Sequence, residues 1–168
     1  HLVPGSPEYE AYYAMRPENE AVDNLFRAQP GLLSPDAKYA DPMLFAAPEA
    51  SFTLTDAMHI MVEGEPASQK IDLPENPTRS EFIKSLARYF GALDVGITEL
   101  KPEHVYSNIG RGPGEWGGAL GVEHKYAIAF TVEMDYEIMG AAPEAPVVME
   151  SARQYVEAGR VAVQLAGV

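Results

Sequence analysis

"KYAIAFTVEMDYEIM", Lys125 to Met139, is the stretch on which the fold turns. Tyr126 to Val132 is an uncharged apolar run of strand length, and it reads as a buried strand. The run stops at two carboxylates, Glu133 and Asp135. Two acids at a strand end can be a catalytic pair, two metal ligands or a helix cap. At i and i+2 on a strand they share a face. Asp135 also precedes "YEIMG", with Glu137 close behind, and a carboxylate there can accept from the unpaired N–H groups of a first helical turn. The cap is the reading preferred for Asp135. Glu133 stays open between a solvated strand end and a buried acid paired with Arg153 or Arg160. A metal site would need a third ligand, and His124, at the far end of the strand, lies about 30 Å away.

Around this centre the pattern alternates. "PTRSEFIKSLARYFGA" carries a helical stripe of Phe82, Ile83, Leu86, Ala87 and Phe90, with Gly91 past its end. "LDVGITEL" reads as a strand, "KPEHVYS" as a short helix, and "PVVMESARQYVEAGRVAVQLAGV" as a helix of about 20 residues. Helix, strand, helix, strand and helix on short connections give an α+β fold, a small sheet packed by several helices. Toward the amino terminus, Pro7 to Ala28 is helix broken at Pro17. Gln29 to Pro48, with four prolines, is mostly loop. A helix from about Pro48 to Gly64 follows, then a polar connector with a short strand at Lys70 to Leu73. "LVPGS" reads as a protease-site remnant, so residues 1–6 are set aside. Residues 7–50 form amino-terminal helices and a Pro-rich loop, and 51–168 the α+β part.

Composition narrows the function classes. The 168 residues suit one domain with a real core. A net charge of −13 opposes nucleic acid and anionic membrane surfaces. The absence of cysteine removes disulfides, thiolate nucleophiles and cysteine-held metal clusters from this chain. No apolar run approaches the roughly 20 residues of a membrane span. The start "HLVPGSPEYE" does not read as a secretory leader, and a cytoplasmic location is expected.

The other constellations are weak. "GPGEWG", Gly112 to Gly117, matches G-x-G-x-x-G, but a helix precedes it and a strand follows, the reverse of a dinucleotide site. The mobile-loop reading leaves Trp116 suited to cover a ligand or partner. His59, His104 and His124 have no metal-ligand spacing and read as surface or capping residues. Ser51, Ser80, Ser107 and Ser151 sit in no nucleophile elbow. Tyr9, Tyr12 and Tyr13 read as one helix face against a core. Val161, Ala162, Val163, Leu165, Ala166 and Val168 leave almost no polar face, so the last two turns should be buried, in a longer chain or in an oligomer.

"LARYFGALDVGITELKPEHVYS", "HKYAIAFTVEMDYEIMGAAPE" and "ESARQYVEAGRVAVQLAGV", in that order, resemble the reductive dehalogenases, corrinoid and iron–sulfur enzymes that remove halogen from organic halides. "PEYEAYYAMRPENEAVDNLFRAQP" is similar to the amino-terminal helices of that group. The resemblance implies a nitroreductase-like fold that holds cobalamin, and a chain continuing past "QLAGV" into the rest of the corrinoid-binding domain. It also implies a following part with two 4Fe-4S clusters, for which this chain has no cysteine. On that footing these residues form an incomplete domain that supplies scaffold. No catalytic residue and no metal ligand is matched. Glu133, Tyr155 and Trp116 are the candidate walls of a cofactor pocket. The expected partners are the rest of the parent chain, or a second copy through the C-terminal helix, and a small organohalide. Two alternatives stand beside this reading, a non-catalytic binding or oligomerisation domain of the same fold and a flavin-binding nitroreductase-like module.

Overall fold

Prolines and carboxylates set where the helices begin. Helix α1 (Pro7–Met15) starts on Pro7, with the Ser6 hydroxyl accepting from the Tyr9 N–H at 3.2 Å. Pro17 cannot continue it, and Arg16 takes φ −136° and ψ 61° before α2 (Pro17–Arg27) starts afresh. The break expected at Pro17 is where it falls. A computed structural model of the chain describes residues 2–62, 68–69, 72, 78–109, 115 and 117–168. They form two units, residues 1–38 with 105–122, and residues 39–104 with 123–168.

The first unit is held by a tyrosine knot. Tyr9 and Tyr13 are buried, with ring centroids 4.5 Å apart edge to face. The Tyr9 hydroxyl donates to Glu20 and the Tyr13 hydroxyl to Asp23, both at 2.9 Å. The Arg27 guanidinium donates to the Tyr13 oxygen and lies over both rings, 5.6 and 5.5 Å from their centroids. Each buried ring thus has an apolar contact, a cation on its face and a partner for its hydroxyl. In the same unit the ends of the glycine-rich loop are tied together. Ile109 N–H donates to Gly118 O at 2.8 Å, and Asn108 Nδ2 to Gly117 O at 2.8 Å. Residues 110–114 and Trp116, with most of the G-x-G-x-x-G match, lie outside the described residues.

The second unit is α3 (Pro42–Met58), α4 (Thr78–Tyr89), β1 (Asp94–Glu99), β2 (Tyr126–Thr131), α5 (Tyr136–Met139) and α6 (Ala145–Ala166). Its two strands pair antiparallel, Asp94 opposite Thr131 and Glu99 opposite Tyr126. The α+β class expected from the pattern holds, in a mostly helical form with a two-stranded sheet among the described residues. Helix α6 packs on α3, α4 and α5. Its Val161 is wholly buried with Ala87, Ala92 and Val95, and Phe90, Phe130 and Leu165 pack around them. Gly91 turns α4 into this cluster at φ +114°, a conformation reserved for glycine, and a Cβ there would meet Arg160 Nη2 at 3.0 Å. Among the described residues no helix is long and apolar enough to cross a membrane.

Three expectations need correction. The loop expected to Pro48 ends at Asp41, whose carboxylate accepts from the Met43 and Leu44 N–H groups at 3.0 Å. Helix α3 therefore starts on Pro42 and runs through Pro48, whose ring is buried. Pro42 is a first-turn proline and needs no partner for nitrogen, and Pro48 gives up one main-chain bond inside a packed helix. Second, β2 is not a core strand. Only Ala127 and Phe130 are half-buried, one on each face, and among the described residues β1 is the strand's one sheet neighbour. Third, Phe82 does not join the buried stripe and is 59% exposed. At the end of α6 Val161 is enclosed, and Val168, past the helix, is 78% exposed in the single chain. The short 3-10 turn Pro102–His104 matches the expected short helix, and His104 caps it, with Nδ1 accepting from the Lys101 N–H at 3.3 Å. Gly64 and most of Lys70–Leu73 lie outside the described residues.

Two outcomes follow from these contacts. Val161→Ala should cost about 2 kcal/mol by emptying the middle of the cluster, and Gly91→Ala about 1–3 kcal/mol from its backbone angle. Urea denaturation followed by circular dichroism measures both, and an unchanged midpoint would mean the cluster does not hold the unit. The knot predicts a pH effect. Burial raises the Tyr13 phenol above its ordinary value, Arg27 pulls it back, and the bond to Asp23 pushes it up further. The unfolded chain then releases this proton first as pH rises. The stabilisation is full below about pH 10, the unfolded value, and is lost as pH climbs through the folded one. Tyr13→Phe should flatten the alkaline loss of α1–α2 helicity, and equal slopes in both proteins would exclude Tyr13 as its source.

Candidate functional site

Asp135 ends the strand segment and caps α5, accepting from the Glu137 N–H at 2.9 Å and the Ile138 N–H at 3.1 Å. The cap reading is thus what the structure has. The Asp135 N–H in turn donates to Glu150 Oε1 on α6 at 2.8 Å. Glu150 is 2% exposed and the only buried charged or polar residue among those described. Gln154 Nε2 reaches the same oxygen at 2.8 Å, and Arg153 Nη1 reaches the other at 3.3 Å. Arg153 itself is largely exposed. A buried carboxylate with a main-chain donor, an amide donor and a cation is satisfied, and its removal would take the acceptor from the Asp135 N–H and from Gln154.

Beside this junction lies an open concavity of about 530 Å³, lined by Glu133 to Glu137, Glu150, Arg153 and Gln154. Glu133 is an exposed wall of it and not a buried ion-pair partner. The pairs expected with Arg153 and Arg160 are made instead by Glu150 and by Glu157, the latter 2.7 Å from Arg160. Tyr155 is on α6 outside this lining, its ring edge to face with Phe52 of α3 at 5.8 Å. Trp116 lies outside the described residues, and of the other two candidate walls only Glu133 lines this concavity.

Glu150 is the residue that sequence reasoning missed. Its signal was present as a carboxylate with Arg153 at i+3 and Gln154 at i+4, two donors on one helix face. Ser51 and Ser151 donate to the carbonyls of Ala47 and Val147 one turn back, at 3.0 and 2.9 Å. No cluster of three or more His, Asp or Glu residues able to hold a metal occurs among the described residues. Chemically the concavity is an acidic surface. Glu133, Asp135 and Glu137 outweigh Arg153 in this lining and oppose a phosphate there, including the phosphodiester of a cobalamin nucleotide loop.

Glu150→Ala should destabilise the second unit by about 2 kcal/mol, because the Asp135 N–H and Gln154 lose their acceptor at the junction. Asp135→Ala should cost about 1 kcal/mol as a lost cap. Denaturant midpoints for both variants check this, and equal losses would show that the Glu150 carboxylate carries no more than a surface cap. Comparison of the chain with protein-family models, with curated proteins and with solved structures finds no match.

Proposed function

We propose that this chain is the amino-terminal scaffold portion of a cobalamin-dependent reductive dehalogenase, within a nitroreductase-like α+β domain. The observation that carries the reading is a mismatch between what the second unit buries and what it leaves outside. Its buried apolar residues are small, chiefly Ala87, Ala92, Val95, Ala145, Ala152 and Val161. Its larger side chains stand in water, with Met43 88% exposed and Phe82, Tyr126 and Tyr155 also exposed. Surface of this kind favours coverage by more protein. The order of the resembling segments supports the same reading, since they coincide with α4–β1, with β2–α5 and with α6.

In the intact enzyme the corrinoid and two 4Fe-4S clusters would relay two electrons from an external donor to the carbon–halogen bond, which with one proton gives the C–H product and free halide. This chain's residues would hold the strand pair and the α5–α6 junction against the portion that carries those groups. The acidic concavity and the absence of cysteine in this chain support a reading in which the cofactors sit in that other portion.

The reading frame that encodes the chain is the first test, beside the intact mass of the purified product. The expected result is a much longer frame with two cysteine motifs downstream of Val168. A frame that ends at Val168 would sink the reading, because the electron-carrying parts would not exist. A cobalamin absorbance titration adds a second check. This chain alone should leave the spectrum unchanged, and the longer product should shift it.

A further inference from the structure

We propose that the outer edge of β2 pairs antiparallel with the same edge of a second copy of this chain, about a two-fold axis at Ala129. This goes beyond the scaffold reading and does not rest on it.

The register fixes which main-chain groups are free. Leu100 N–H donates to Lys125 O at 2.9 Å, and Glu99 stands opposite Tyr126. Lys125, Ala127, Ala129 and Thr131 therefore turn their N–H and C=O groups toward β1, and Tyr126, Ile128 and Phe130 turn theirs outward. Among the described residues no third strand pairs there, and no turn or loop bonds those outward groups. The two edges are not alike. On β1 the Val95 N–H is taken by the Asp94 carboxylate at 2.8 Å, and Asp94 and Glu99 place charge at both ends. These are devices that keep an edge from pairing. From Tyr126 to Val132 the other edge has no charge and no proline.

The charges at its ends select the occupant. Lys125 precedes the strand and Glu133 follows it, both exposed. Antiparallel pairing with Ala129 opposite Ala129 sets Lys125 against Glu133 of the partner subunit, and the two-fold repeats the contact. The same register sets Ile128 against Phe130 of the partner subunit and matches outward groups with outward groups. Sliding it by one residue faces outward groups with inward ones. Sliding by two sets Glu133 against Glu123 of the partner subunit, or Lys125 against Asp135 of the partner subunit, whose carboxylate already caps α5. The strand is thus its own complement in one register, which gives a closed, isologous contact.

Sedimentation velocity of the full chain at physiological ionic strength, where the net charge of −13 is screened, tests the pairing. The expected species is a dimer. Lys125→Glu or Glu133→Lys alone should weaken it about tenfold or more, and the double reversal should restore it. Ala129→Cys, in a chain with no other cysteine, should form a covalent dimer on oxidation, because a non-hydrogen-bonded pair brings Cα atoms within disulfide reach. A chain that stays monomeric overturns the proposal. So does a dimer indifferent to both single reversals, which would place the contact elsewhere, on α6 or on the exposed face of α3.

Discussion

The hydrogen bond from the Asp135 main chain to the buried Glu150 carboxylate is the constraint on which the second unit depends. It joins the end of the β2 segment, the start of α5 and the second turn of α6 at one point. A carboxylate enclosed this far is tolerated only when every acceptor site finds a donor. Gln154, Arg153 and the Asp135 N–H supply them, so the path of the chain between strand and helix is set by what one oxygen pair needs. The same junction puts Glu133, Asp135 and Glu137 around one concavity and gives that surface its sign.

Much of the fold was legible because its causes are local. Pro7 and Pro17 mark helix starts, and Asp135 with Glu137 marks another. Gly91 marks a helix end, since a positive φ suits no other residue so well. The long α6 follows from its periodic apolar stripe. The start of α3 was misplaced for an equally local reason. Four prolines in twenty residues suggest a loop, yet Asp41 followed by Pro42 is itself a helix-start signal, and Pro48 is accommodated once its ring is packed. Asp and Pro as neighbours outweighed the overall density of prolines.

The site was less legible because its decisive features are not local. Glu150 looks like any polar position on an amphipathic helix until α5 is laid over it. Burial of β2 depends on how many strands and helices surround it, which an apolar run does not state. Tyr126 to Val132 was therefore recognised as a strand but assigned too much cover. Tyr155 was singled out for its chemistry, and its neighbour turned out to be Phe52, more than one hundred positions earlier in the chain. In the first unit the tyrosine face was recognisable from spacing, but the part played by Arg27, one cation over two rings, was not.

That tyrosine knot bears on the order in which the molecule assembles. Every contact in it lies between Tyr9 and Arg27, so its loop-closure entropy is small and its helices can meet as soon as they are made. The cluster around Val161 joins α4 to a residue more than seventy positions later, and β1 finds its partner only after the segment 105–122, which belongs to the first unit, has been passed. A ribosome releasing this chain would deliver a finished helical pair early. Until α6 emerged, β1 and the apolar face of α4 would be without the helix that covers them, and in that interval the molecule is most exposed to wrong partners.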